Sequence, residues 1–140
     1  MPRRGFSLPE LTVALAMMAV LLSIALYRFT ALRDATSVRA ATADLGSAFS
    51  LARQLAVSKR HMVAIVVDTG RGVVELRSGG VRIVRRELSA SYGVHLGSNR
   101  DSAVFDARGL GYGLSNLSIA VRRGHFVDTL TMSRLGRVRW

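Results

Sequence analysis

Residues 3–29 read RRGFSLPELTVALAMMAVLLSIALYRF, and this stretch decides how the rest of the chain is organised. No charged residue occurs between Leu11 and Tyr27. A helix needs about 20 mostly apolar residues to cross a bilayer, so the stretch predicts one membrane-spanning helix. Because Arg3 and Arg4 precede it, the positive-inside rule predicts a cytoplasmic amino terminus and an exported remainder.

A cleaved secretory signal is the alternative interpretation of this segment. Its cleavage site, of the form Ala-x-Ala, should follow the apolar core. The sequence Ala14-Leu15-Ala16 lies inside the core instead, and Leu26-Tyr27-Arg28 after it is a poor site. We therefore expect the apolar segment to be retained.

Glu10 is the only charged residue in the apolar stretch from Phe6 to Tyr27. A carboxylate is costly in a membrane unless it reaches the headgroups or meets a counter-charge. Glu10 is close enough to the helix end for the first explanation, and the second would make it functional. Pro9 is tolerated because the first turn of a helix has no amide partner to lose.

The stretch Gly5-Phe6-Ser7-Leu8-Pro9-Glu10-Leu11, after Arg3-Arg4, resembles the processing motif of the type IV pilin and type II secretion pseudopilin superfamily. In that family a prepilin peptidase cuts after the glycine and N-methylates the next residue. The resemblance implies cleavage between Gly5 and Phe6, followed by methylation of Phe6. It also implies that Glu10 acts in assembly, where it pairs with the new amine of a neighbouring subunit.

The helical pattern continues beyond Tyr27 and becomes amphipathic. Apolar residues recur at alternating steps of three and four, which is typical of one apolar helix face. This stripe consists of Val38, Ala41, Leu45, Ala48, Ala52 and Leu55. The residues off the stripe are Arg39, Thr42, Ser50, Arg53 and Lys59. We predict one long helix to about Arg60, with a membrane half and an amphipathic half.

The remaining residues predict β-strands joined by turns. Met62–Asp68 is apolar on both faces and should be a central strand. Turn signals at Asp68–Gly72 and Ser78–Gly80 predict a meander of hairpins. The other predicted strands are Val73–Arg77, Val81–Leu88, Val94–Gly97, Ala103–Ala107, Leu117–Arg123, Phe126–Ser133 and Arg137–Trp140.

A long amino-terminal helix packed on antiparallel sheet is an α+β, pilin-like architecture. Two further stretches resemble the GspH/FimT-type branch: an F-x-x-x-G sequence at Phe105–Gly109 and a Gly-Arg-Val turn at Gly136–Val138. The resemblance implies a single-pass protein of the inner membrane, with prepilin peptidase and other pilin subunits as partners. It divides the chain into a leader (1–5), a transmembrane half-helix (6–28), an amphipathic half-helix (29–60) and a periplasmic β-rich domain (61–140).

Several kinds of chemistry are not indicated by the sequence. The chain has no cysteine, which excludes disulfides and thiolate metal sites. His61, His95 and His125 lie in separate segments without metal-ligand spacing. The glycines around Tyr112 lack the Gly-Lys-Ser/Thr and helix of a phosphate loop, and no serine has a nucleophile-elbow context. We expect no enzymatic activity and no cofactor.

The formal charge is +11, and Lys59 is the only lysine. Biased codon usage explains this as well as a polyanion partner does. In an extended segment Arg137 and Arg139 point to one face, which is either a solvated sheet face or a phosphate-binding pair. Five arginines are crowded into the last nineteen residues: Arg122, Arg123, Arg134, Arg137 and Arg139.

Two functions follow from these patterns. The first is a minor pseudopilin or minor pilin, a structural subunit that initiates or caps the filament of a type II secretion system or type IV pilus. The alternative is a minor pilin that binds double-stranded DNA for uptake, because Gly136-Arg137-Val138-Arg139 matches the Gly-Arg-x-Arg motif of some FimT-type minor pilins. In that case we expect Arg137 and Arg139 to contact the DNA, with help from Arg122, Arg123 or Arg134. A single-pass periplasmic binding protein with a chance leader match is a third hypothesis.

Overall fold

The computed structural model describes residues 7–113 and 116–140. The chain divides into two units, Met1–Arg33 and Asp34–Trp140, each described here by itself. The predicted leader and Phe6 lie outside the described residues. In order, the elements are α1 (Leu8–Lys59), β1 (Val63–Asp68), β2 (Val73–Ser78), β3 (Val81–Glu87), α2 (Leu88–Tyr92), β4 (His95–Ser98), β5 (Ser102–Phe105), β6 (Gly111–Tyr112), β7 (Leu117–Arg123), β8 (Phe126–Met132) and β9 (Val138–Arg139).

The first unit is helical from Leu8 onward. Helix α1 is the one helix in the described residues that is long and apolar enough to cross a membrane. Its apolar side chains from Leu8 to Phe29 are exposed. A helix that is apolar all round and exposed is suited to lipid.

The second unit contains two antiparallel sheets. The first has the strand order β3-β2-β1-β5-β6, and the second has the order β4-β7-β8-β9. Strand β1 lies in the middle of the first sheet, which agrees with its prediction as a central strand. The predicted α+β class, a long helix packed on antiparallel sheets, is confirmed.

Two elements differ from the prediction. The strand predicted to run through Leu88 ends at Glu87, and a short helix, α2, follows. Leu88 is fully buried at the start of α2, and Gly93 ends that helix with a φ of 64°. Gly93 suits this left-handed position because it has no Cβ. The two-residue strand β6 was also not predicted, since a pairing of that length leaves no periodic pattern.

Residues 34–59 of α1 pack against both sheets through the predicted stripe. Val38, Ala41, Leu45, Ala48 and Ala52 are buried, and Leu55 is partly buried. Deeper in the same core, the ring of Phe49 meets that of Phe105 edge-on, with centroids 6.5 Å apart.

Thr42, predicted to lie off the stripe, is fully buried. Its hydroxyl donates to the carbonyl of Val38 at 2.9 Å. Because this bond within the helix satisfies the hydroxyl, the polar group can be buried at little cost.

Gly46 allows the ring of Trp140 to pack closely on α1. A Cβ at Gly46 would lie 3.0–3.2 Å from three atoms of the Trp140 ring. A glycine that weakens the helix by up to ~1 kcal/mol relative to alanine therefore permits close contact between α1 and the residue after β9.

Candidate functional sites

Glu10 lies in the first turn of α1 and its side chain is exposed. The hydroxyl of Ser7 donates to its carboxylate at 3.5 Å. Within residues 7–113 and 116–140, no cation lies at ion-pair distance from it. A carboxylate placed among exposed apolar side chains is thus available to a positive group from elsewhere. The predicted processing residues, Gly5 and Phe6, lie outside the described residues.

Arg137 and Arg139 line an open groove of about 530 Å³ on the second sheet. Arg139 is paired with Thr131 of β8, and Thr131 with Ser118 of β7, so these side chains share one face. Polar side chains, including Asn99, Asn116 and Ser133, and apolar ones, Leu117, Met132 and Leu135, line the rest of the groove. The groove therefore combines two guanidinium groups with amide and hydroxyl groups, which are the usual donors to phosphate.

The outward face of the second sheet continues from this groove to Arg122. Arg122 is paired with Val127, which lies four residues before Thr131 on β8, a distance of about 13 Å along the strand. In the described strands, the residues of this face are His95, Gly97, Ser118, Ala120, Arg122, Val127, Thr129, Thr131 and Arg139. None of them is acidic, so the positive charge of this face is not compensated within it.

Positive charge is compensated on the first sheet instead. Arg77 and Arg82 both contact Glu75, at 3.1 and 3.3 Å, and Arg85 contacts Glu87 at 3.0 Å. Within residues 7–113 and 116–140, Arg122, Arg134, Arg137 and Arg139 do not take part in ion pairs of this kind.

Arg123 has a structural role. Its Nε donates to Asp34 of α1 at 2.7 Å, and its Nη1 donates to the Ser37 hydroxyl and to the carbonyl of Tyr92. The side chains of Arg123 and Asp34 are only 23% and 29% exposed. Because this guanidinium ties α1 to the second sheet, we remove Arg123 from the group of predicted DNA contacts.

A second carboxylate of α1 ties it to the first sheet. Asp44 lies 3.8 Å from the Arg86 guanidinium and accepts a bond from the Tyr92 hydroxyl at 3.4 Å. Burial raises the pKa of Tyr92, and the negative charge of Asp44 adds to the effect. Sequence reasoning did not single out Asp34 or Asp44, the two acidic residues on this half of the helix.

Arg134 and Trp140 flank the groove residues along the chain. Arg134 is exposed in the turn between β8 and β9, where Gly136 donates to the carbonyl of Ser133 at 2.9 Å. Gly136 has a φ of 73°, which favours glycine. The Trp140 ring packs against Gly46 of α1, on the opposite side of the strand from Arg139. It therefore does not stack beside the arginines of the groove.

The F-x-x-x-G stretch at Phe105–Gly109 is structural. The Asp106 carboxylate accepts bonds from the backbone amides of Leu110 and Arg108, both at 2.9 Å. The Leu110 amide is the largest cause that lowers the pKa of Asp106 below its ordinary value. Gly109 has a φ of 76°, and a Cβ there would lie 2.9 Å from Val57. The stretch thus closes the loop after β5 against α1.

The comparisons with known proteins agree with this geometry. The prokaryotic N-terminal methylation motif matches residues 1–26. Two crystal structures of the type IV minor pilin FimU from Pseudomonas aeruginosa are similar to this chain at 16% identity. In space group P21 the TM-score is 0.63, covering 74% of this chain and 87% of FimU. In space group P65 it is 0.60, covering 72% and 90%. No curated protein matches the chain in sequence.

At this level of identity the likeness shows the fold, which is that of the pilins. The chain thus combines an N-terminal methylation motif over residues 1–26 with a fold similar to that of FimU.

Proposed function

We propose that the protein is a minor pilin or minor pseudopilin, a structural subunit that initiates or caps a filament of a type IV pilus or type II secretion system. The observation that carries this proposal is Glu10, which is exposed in the first turn of a helix long and apolar enough to cross a membrane. Glu10 also lies inside the matched methylation motif. In this proposal α1 anchors the subunit in the inner membrane, with residues 61–140 in the periplasm. The pilin fold is one of structural subunits, and we propose no catalytic activity.

The chemistry of assembly follows from the two charges at the amino end. Cleavage by prepilin peptidase after Gly5 would leave a positive amine on Phe6. Burying that amine or the Glu10 carboxylate alone in lipid is costly. If the carboxylate of one subunit meets the amine of the next, each charge offsets the burial of the other. The pairing also favours one axial register of the two helices.

Replacement of Glu10 by alanine should impair assembly without impairing insertion or processing. We expect crosslinking of Glu10→Ala to partner pilins in membranes to fall at least tenfold, which corresponds to ~1.4 kcal/mol. Intact mass should show that wild type and variant both start at a methylated Phe6.

The matched control is Thr12→Ala, whose hydroxyl is exposed on the same helix and bonds only within it, to the carbonyl of Pro9. Thr12→Ala should crosslink like the wild type. Equal crosslinking of Glu10→Ala and wild type would refute the pairing. A mature chain that starts near Arg28, or one that keeps residues 1–5 beside an active peptidase, would refute the processing.

DNA capture for uptake is a second candidate function. The observation that favours it is the acid-free outward face of the second sheet, where Arg137 and Arg139 line one groove. Neither arginine takes part in an ion pair among the described residues. Arg122 on the same face and Arg134 in the adjoining turn could extend the contact. Phosphate contacts of this kind bind without sequence preference.

Binding of double-stranded DNA should depend on the groove rather than on net charge. We expect a chain that begins at Arg33, without the membrane-spanning half of α1, to bind double-stranded DNA weakly at low salt. Its affinity should fall steeply as the salt concentration rises, because phosphate contacts release counterions. The double change Arg137→Ala and Arg139→Ala should remove most binding and lower the log–log salt slope by about two, one for each contact.

The control is the double change Arg53→Ala and Arg60→Ala, which removes the same charge from α1 and its end. This control should leave most of the affinity. If both double variants lost the same affinity, or if the wild type did not bind at low salt, DNA capture would be excluded.

A further inference from the structure

The end of the β7–β8 hairpin, residues 123–127, which we call the β7–β8 turn, contacts α1 at the start of the second unit. Arg123 bonds to Asp34 at 2.7 Å. Gly124 has a φ of 55°, and a Cβ there would lie 2.8 Å from the Asp34 carboxylate. A side chain at position 124 would have to displace the Asp34 carboxylate, and the bond from Arg123 keeps the β7–β8 turn beside Asp34.

Asp34 is close along the chain to the end of the membrane anchor. The uncharged run ends at Tyr27, and Arg28 follows it. The six residue-to-residue steps from Arg28 to Asp34 span about 9 Å in a helix and at most about 22 Å fully extended. The headgroup region adds about 5–8 Å to each side of the hydrocarbon core. The chain therefore keeps the β7–β8 turn within reach of the bilayer surface.

The β7–β8 turn has the surface chemistry of a membrane interface. Phe126 and Val127 are 39% and 54% exposed, although they are large and apolar. His125 and Arg122 beside them are also exposed. The nearby acids are compensated or partly buried: Asp34 is paired with Arg123, and Asp128 accepts the Thr129 amide at 2.8 Å. Exposed apolar groups flanked by cations favour the boundary between lipid tails and phosphates.

We propose that the β7–β8 turn is a second membrane contact, in which Phe126 and Val127 enter the headgroup region while Arg122 lies against lipid phosphate. The inference rests on the membrane anchoring in the proposed function. The occupant of this surface is the bilayer itself, because the short stretch of chain from Arg28 to Asp34 leaves the turn within reach of it. The contact would hold the globular unit against the membrane before the subunit enters a filament.

The absence of cysteine from the chain allows a direct test with a single label. The full-length protein carries His125→Cys, labelled with an environment-sensitive fluorophore, in vesicles of phosphatidylcholine with or without phosphatidylglycerol. The control is Val81→Cys at the exposed start of β3, directly after the turn between β2 and β3. The Ser78 hydroxyl bonds to the carbonyl of Met62, which places that turn beyond Lys59, about 38 Å along α1 from Asp34.

We expect a blue shift and a loss of iodide quenching at position 125 on reconstitution, and neither at position 81. Phosphatidylglycerol should strengthen the protection through Arg122. Adding Phe126→Asp and Val127→Asp should restore quenching at position 125. Equal quenching at both positions would overturn the proposal.

Protection at position 125 that appears only with partner pilins present would also overturn it, since the turn would then be a subunit contact.

Sedimentation with vesicles separates a failure of the turn contact from a failure of the proposed function on which it rests. A protein that does not sediment with vesicles lacks an anchor, which would refute the proposed function as well. A protein that sediments and crosslinks through Glu10, but is quenched at position 125, refutes only the turn contact.

Discussion

A chain shortened to begin at Arg60 should aggregate, whereas one that begins at Arg33 should be a soluble, folded monomer. The shorter chain lacks the helix face that covers both sheets. Leu45 and Phe49 on that face are fully buried, and removing one such side chain costs about 2–5 kcal/mol. A small domain is stable by only about 5–15 kcal/mol, so losing the whole face should abolish folding. Size-exclusion chromatography and thermal melting followed by circular dichroism would measure both effects.

The longer chain serves as the control, since it lacks only the segment that is apolar and exposed on all sides. It should give one cooperative melt. If the chain from Arg60 melted cooperatively at a similar temperature, the sheets would not depend on the helix, and our description of the core would be wrong.

Replacement of Arg123 by alanine should lower the free energy of unfolding by about 2–3 kcal/mol, because it leaves Asp34 and the Tyr92 carbonyl without their donor. The neighbouring Arg122 is the matched control, because it is the same residue type on the same strand but its side chain is exposed. Arg122→Ala should change the free energy by no more than about 0.5 kcal/mol. Urea denaturation would measure both values.

A double-mutant cycle with Asp34→Asn would test the pairing itself. Once Asp34 is changed, the Arg123→Ala substitution should cost less, with a coupling of about 0.5–3 kcal/mol. Equal losses for Arg122→Ala and Arg123→Ala would show that Arg123 acts only as one more surface cation.

Local patterns were enough to predict the helix and most strands. The period of α1 and the alternation in β7 are both visible within ten residues, so the bounds of these elements agree closely with the structure. The division of the nine strands of the described residues into two sheets could not be predicted in this way, because it depends on pairings such as β1 with β5 that join distant segments. Strand β6 exists only because β5 lies beside it.

The misplaced residues were partly visible in the sequence. Arg123 follows Leu117, Ile119 and Val121 at steps of two, and this alternation places it on their inward side. Thr42 lies four residues after Val38 and so also falls on the buried face of its helix. In both cases the prediction followed the polar nature of the side chain and not its place in the periodic pattern. What the sequence could not reveal was the partner, since Asp34 lies 89 residues away from Arg123.

The packing of Trp140 on Gly46 has a consequence for the order in which the subunit folds during export. In the export that we propose, residues 34–59 of α1 leave the cytoplasm first, and Trp140, which follows β9, emerges only after the nine described strands. Contacts between such distant segments form late, because a long loop must close before they yield any stabilisation. The surface of α1 at Gly46 therefore stays uncovered until Trp140 has emerged. This interval is when the nascent subunit is most vulnerable to aggregation or proteolysis. Trp140, as the only tryptophan, would report its end by fluorescence.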